Sequence, residues 1–135
     1  MTQEEKDLLL KDLCARLPYG VKINENIQGD FTVIGLTTER VFTNCETEGC
    51  HNDFPIECVK PYLFPLSSMT DKQKVEYNSL RDLVPTEQQC EVGNLLGDFE
   101  FVDNWRSIDY LNANHFDYRG LIEYGLAIDA TGLNI

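Results

Sequence analysis

The stretch FTVIGLTTERVFT, residues 31–43, holds two short runs of β-branched and aromatic residues around the polar turn Thr37-Thr38-Glu39. Such runs flanking a short polar connection predict a β-hairpin, 31–36 against 41–43. Working outward, residues 21–23 and 56–59 have the same character, and turn-formers at 24–26 and 28–30 separate the first of these from the hairpin. Four short strands within residues 21–60 predict a small antiparallel β-barrel or a curled sheet. A sheet of that size cannot bury enough surface alone, so helices must cover it.

The N-terminal flank supplies one. Thr2 is a helix cap with Glu5 three residues on, the spacing of a capping box. Leu10, Leu13, Cys14 and Leu17 then fall on one helical face, with Leu9 reinforcing it, and Pro18 and Gly20 end the run. On the other flank, Lys60-Pro61-Tyr62-Leu63-Phe64-Pro65 reads as an extended segment across the sheet, because proline is disfavoured in central strands. A second helix is predicted from Ser68 or Thr70 to about Val84, with Tyr77, Leu80 and Val84 as its stripe. Asp103 would cap a third, with Trp105, Ile108, Leu111 and Asn112 inward, and a short helix around 118–124 would stop at Gly125. The expectation is one α+β domain over 1–135: a helix in 1–20, a β-rich part in 21–60, and a mainly helical part in 61–135 with two to three helices.

Composition limits the function classes. At 135 residues and 42% hydrophobic content the chain has the makings of a globular core. Its net charge of −12 would be repelled by nucleic acid and by anionic membranes, whose non-specific binding depends on neutralising phosphates. No apolar run approaches the roughly 20 residues of a membrane span. The acidic start Met-Thr-Gln-Glu-Glu is unlike a signal peptide, and five cysteines, an odd number, suit a reducing compartment, so a cytoplasmic location is expected.

Residues 60–70, KPYLFPLSSMT, and 109–123, DYLNANHFDYRGLIE, resemble a group of small uncharacterised proteins of gut Bacteroides and their phages and prophages. The resemblance implies a mobile-element origin and a bacterial cytoplasm. It brings no established activity, so no catalytic residue is carried over.

Three constellations carry candidate chemistry. Cys45, Cys50, His51 and Cys58 lie within fourteen residues and offer four ligands to zinc, as in a zinc-stabilised adaptor; single cysteines also serve as small core hydrophobes. His115, Asp117 and Tyr118 set an imidazole beside a carboxylate, as in an enzyme or a ligand-binding protein. The bland alternative puts His115 as a cation at a helix C-terminus, with Arg119 paired to Asp117 or Glu123. Asp82, Glu87, Glu91, Asp98, Glu100 and Asp103 form a run without Lys or Arg, either a solvated face or a surface that imitates DNA. Trp105, Tyr110, Phe116, Tyr118 and Tyr124 are dense enough for a core or an interface hot spot.

The chain has no G-x-G-x-x-G, phosphate loop, G-x-S-x-G or H-E-x-x-H signature. The leading expectation is therefore a non-enzymatic protein without a cofactor, acting by protein–protein contact. Its sharpest form is a DNA-mimicking inhibitor of a basic, nucleic-acid-binding host defence protein.

Overall fold

The computed structural model describes residues 1–44, 52–85 and 99–133. Two compact units emerge: Met1–Ser68 with Asn112–Ile135, and Met69–Leu111. The architecture is α+β, as the residue patterns require.

In the first unit, α1 (Gln3–Arg16) starts at the expected capping box. The Thr2 hydroxyl accepts from the Glu5 backbone N–H at 3.1 Å, and the Glu5 carboxylate accepts from the Thr2 N–H at 3.0 Å. A 3-10 turn, Leu17–Tyr19, follows, and Gly20 closes it with φ +67°, a left-handed conformation that suits glycine. The buried face differs from the predicted one. Leu9 and Leu13 are buried as expected, but Asp12 and Arg16 complete the stripe, whereas Cys14 is exposed. Two opposite charges one turn apart neutralise each other and take the buried spacing that apolar residues would otherwise fill.

Strands β1 (Lys22–Glu25), β2 (Gly29–Leu36), β3 (Arg40–Thr43), β4 (Asp53–Pro55) and β5 (Val59–Pro65) form an antiparallel succession in the order β4-β3-β2-β1-β5. The predicted hairpin is β2–β3, and a register shift between Val33 and Gly35 marks a bulge that strengthens its twist. The two-residue strands β8 (Phe116–Asp117) and β9 (Ile128–Asp129) pair in parallel with β5, so the sheet is mixed. It is not closed into a barrel; the curled-sheet alternative holds.

The expectations around the prolines need correction. Residues 59–65 form a strand, because proline lacks only the N–H, and both prolines sit in register, Pro61 opposite Ile23 and Pro65 opposite Asp117. The predicted strand at 56–59 is a 3-10 turn over Ile56–Cys58, and pairing occurs just before it, in β4. Consequently the described part of 61–135 is not mainly helical: most of β5, and all of β8 and β9, lie within it.

The core gathers α1's Leu9 and Leu13 with Val21, Ile23, Val33, Val41, Ile56, Val59 and Leu63, sealed by Leu121 and Leu126 from the C-terminal turns. Each fully buried aliphatic side chain contributes on the order of 2 kcal/mol. Residues 118–124 are turns, not the predicted short helix. Asp117 explains why: its two carboxylate oxygens accept from the backbone N–H groups of Leu121 (3.0 Å) and Ile122 (2.9 Å), and Gly120 takes φ +78°.

The second unit holds α2 (Asp71–Leu80), the ribbon β6 (Asp82–Pro85) with β7 (Phe99–Val102), and most of α3 (Trp105–Ala113). Thr70 and Gln73 make a second capping box. α2 stops at Leu80, short of the predicted Val84, because Arg81 turns extended and 82–85 pairs with 99–102. None of its residues is buried, so the predicted stripe is at most half-buried. Asn104, not Asp103, caps α3, accepting from the Arg106 and Ser107 N–H groups at 2.9 and 3.0 Å. Trp105, predicted inward, points to solvent.

Candidate functional site

α1 brings Asp12 and Arg16 to one buried face, and the C-terminal turns bring Arg119 to the same carboxylate. Arg16 Nε donates to Asp12 at 2.8 Å, Arg16 Nη2 at 3.1 Å, and Arg119 Nη1 at 2.9 Å. Arg16 Nη2 also donates to the Phe116 carbonyl at 2.5 Å. The Tyr118 ring lies against both guanidinium groups, with centroids 5.5 and 4.5 Å away. Arg119 thus pairs with Asp12 rather than with Asp117 or Glu123. Two cations share this one carboxylate, and none of this network was apparent from hydropathy. The only sequence signal was an Asp-Arg pair at i, i+4 within α1.

His115 stands next to this network. It follows the end of α3 with φ +59°, the position at which glycine commonly ends a helix, and it is the one non-glycine residue with positive φ among the described residues. Holding a branched-ring side chain there costs about 1 kcal/mol or more. Its carbonyl accepts from the Phe64 N–H at 2.8 Å, fixing the turn to β5. Its Nδ1 is buried without a hydrogen-bond partner, an arrangement that costs on the order of 1–3 kcal/mol. Burial, then the Arg16 charge, lowers its pKa, while Asp12 and the Tyr19 backbone oppose the shift. Burial therefore disfavours the charged imidazole, which counts against a role as a dipole-compensating cation.

Gly20, Lys22, Tyr62, Phe64 and His115 line a cavity of about 200 Å³. Lys22 comes from β1 and the two rings from alternate positions of β5, on the face opposite the buried Ile23 and Leu63. The Tyr62 hydroxyl donates to Asp30 at 2.6 Å, and Asn24 donates to the same oxygen at 2.8 Å. These two bonds lower the Asp30 pKa, and the bond to Asp30 raises that of Tyr62. Phe64 packs edge-on against buried Phe116, centroids 6.4 Å apart. Asp117 and Tyr118 are not in this cavity. They line a separate one of about 390 Å³ with Ser67 and Glu123, where the Asp117 oxygens already serve backbone donors. His115 and Asp117 therefore do not form an imidazole–carboxylate pair in one pocket.

The acidic run is divided. Glu87, Glu91 and Asp98 lie outside the described residues. Asp82 has Arg106 at 3.8 Å, Asp103 has Arg81 at 3.4 Å and a hydrogen bond from Tyr77, and Glu100 is exposed. Burial, then Asp103, pushes the Tyr77 pKa up to about 12. Of the cysteine constellation, Cys45, Cys50 and His51 lie outside the described residues, and Cys58 is a half-buried free thiol. Among the described residues no group of three His, Cys, Asp or Glu is placed to hold a metal, and no helix is long and apolar enough to cross a membrane.

The aromatic group splits. Phe116 is buried, while Trp105 is 79% exposed and Tyr124 is also exposed. On the second unit Leu83 and Phe101, opposite one another across the β6–β7 ribbon, are exposed too, as are Val75 and Val102. Comparisons with protein-family models, curated proteins and solved structures returned no match.

Proposed function

We propose that this chain is a non-enzymatic binding protein that acts by protein–protein contact through its second unit, and that its partner has a basic rim. The observation that carries this reading is the exposure of Trp105 (79%), Val75, Leu83, Phe101 and Val102 within one small unit. Exposed apolar side chains at this density, with a tryptophan among them, are the composition of a binding surface. A two-stranded ribbon with apolar residues open to water is also marginal by itself and gains from being covered.

Charge selects the partner. Asp82 and Glu100 sit on the same ribbon as Leu83 and Phe101. With −12 on the chain, a basic partner is attracted over a long range, and a second copy of this chain is repelled. The DNA-mimicking form of the reading is narrower. It rests on the net charge and on Glu100, since Asp82 and Asp103 have internal arginine partners. The resemblance of 60–70 and 109–123 to phage and prophage proteins directs the search to bacterial host proteins.

The test is capture from a bacterial lysate with the wild-type chain and with Trp105→Ala/Phe101→Ser, at low and high salt. The reading expects a basic protein that the double variant fails to hold and that salt releases. Capture that persists in the variant refutes the surface, and capture indifferent to salt refutes the basic rim. Competition by added duplex DNA supports the DNA-mimicking form, and its failure removes that form.

A further inference from the structure

We infer that His115 is an acid-sensitive latch on the turn leading from α3 into β8: its protonation opens residues 112–117 while the strands of the core stay paired.

The backbone makes this residue a fastening point. The His115 N–H donates to the Asn112 carbonyl at 3.1 Å, and its own carbonyl accepts from the Phe64 N–H at 2.8 Å. The next carbonyl, that of Phe116, takes the Arg16 guanidinium. β8 itself is two residues long and pairs only with Phe64 and Pro65. Few bonds hold the segment, and its first turn is left-handed at a residue other than glycine. Opening relieves that strain.

A proton supplies the reason to open. The Nδ1 atom is buried with no hydrogen-bond partner, and in a neutral ring it can remain a bare acceptor. Protonated, it becomes a charged donor in need of an acceptor. Each neighbouring carboxylate is already engaged. Asp12 is held by Arg16 and Arg119, and Asp30 accepts from Asn24 and Tyr62. Asp117 accepts from the Leu121 and Ile122 N–H groups. Tyr118 spends its hydroxyl proton on Asn112.

Like charge works in the same direction. Burial and Arg16 oppose the imidazolium and outweigh Asp12 and the Tyr19 backbone, which favour it. Lys22 adds a further cation on the wall of the adjoining cavity of about 200 Å³. That cavity gives the half-buried ring room to swing away from Arg16 toward water. The turn that holds the ring then unwinds with it.

The test follows amide hydrogen exchange of the full chain by NMR from roughly pH 7.5 to roughly pH 5, corrected for intrinsic rates. Protection of the Phe64 amide, which bonds the His115 carbonyl, should fall at least about tenfold across that range. The Val33 amide, which bonds the Val21 carbonyl within the core, should change less than about twofold. In His115→Gly, where the turn carries neither strain nor a titrating ring, Phe64 should keep its protection throughout. Three results would each overturn the inference: constant Phe64 protection down to the lowest pH, equal losses at Phe64 and Val33, or a pH response retained in His115→Gly. Should that variant fail to fold, His115→Asn, which tolerates a left-handed turn and does not titrate, takes its place.

Discussion

The two units are stabilised by different means. The first packs aliphatic side chains from α1, five strands and the C-terminal turns into one core, and encloses a charge network within it. Among its described residues the second buries only Met69 and Leu111 of its large apolar side chains. It relies instead on polar clamps and ring stacks. Tyr77 stacks on Tyr110 at 6.3 Å, Arg81 lies over Tyr77 at 4.9 Å and donates to the Phe101 carbonyl, and Asn104 donates to the Leu80 carbonyl at 2.7 Å. A unit held mainly by its own burial is finished when it folds. One held by surface clamps keeps apolar area available for another molecule.

That contrast can be broken most severely at Asp12. Asp12→Ala leaves Arg16, with no exposed side-chain surface, and Arg119 without their carboxylate, and should cost about 3–5 kcal/mol. Urea denaturation reads the loss, and hydrogen exchange should show it in β1 and β5. Leu13→Ala, in the apolar part of the same unit, should cost about 2–5 kcal/mol by the same denaturation. If Asp12→Ala proves milder than Leu13→Ala, the charge network is ornamental and burial alone holds the first unit.

Cuts in the second unit should be shallower. Thr70→Ala removes one half of the α2 capping box and should cost about 1 kcal/mol. Acid offers a graded probe of the first unit. Because the folded His115 has a lowered pKa, the unfolded chain binds its proton more readily, so stability should fall as pH drops below about 6.5. Denaturation midpoints in His115→Gly should lose that slope. Trp105→Ala should change stability by no more than about 0.5 kcal/mol while abolishing partner capture. A large loss of stability there would mean that the exposed ring supports the fold and is not held for a partner.

Much of the first unit was legible because its signals are local. The Thr2–Glu5 box and the β2–β3 hairpin each depend on a few neighbouring residues of characteristic type. What could not be read depends on distant partners. Asp12 and Arg16 look like solvent-facing residues until Arg119 and the Phe116 carbonyl arrive. The segment after Asp117 has helical spacing, yet the Asp117 side chain captures its N–H groups and makes turns. Prolines 61 and 65 argue against a strand only until the register shows them accommodated within it. Of the candidate site, His115 was singled out for the wrong neighbour. Its cavity partners Lys22, Tyr62 and Phe64 lie far away in the chain and meet it through sheet pairing.

The Asp12–Arg119 bond joins residues 107 positions apart, and the Arg16 contact with the Phe116 carbonyl spans 100. During synthesis the first helix therefore emerges long before the groups that complete its buried face. Until residues 116–119 leave the ribosome, Asp12 and Arg16 have each other but not the rest of their network. The core strands they cover are then closed on one side only. Closing such distant contacts late makes folding slow relative to local helix formation. The order of translation thus leaves the amino-terminal half exposed to chaperones and proteases until residues 116–119 have been made.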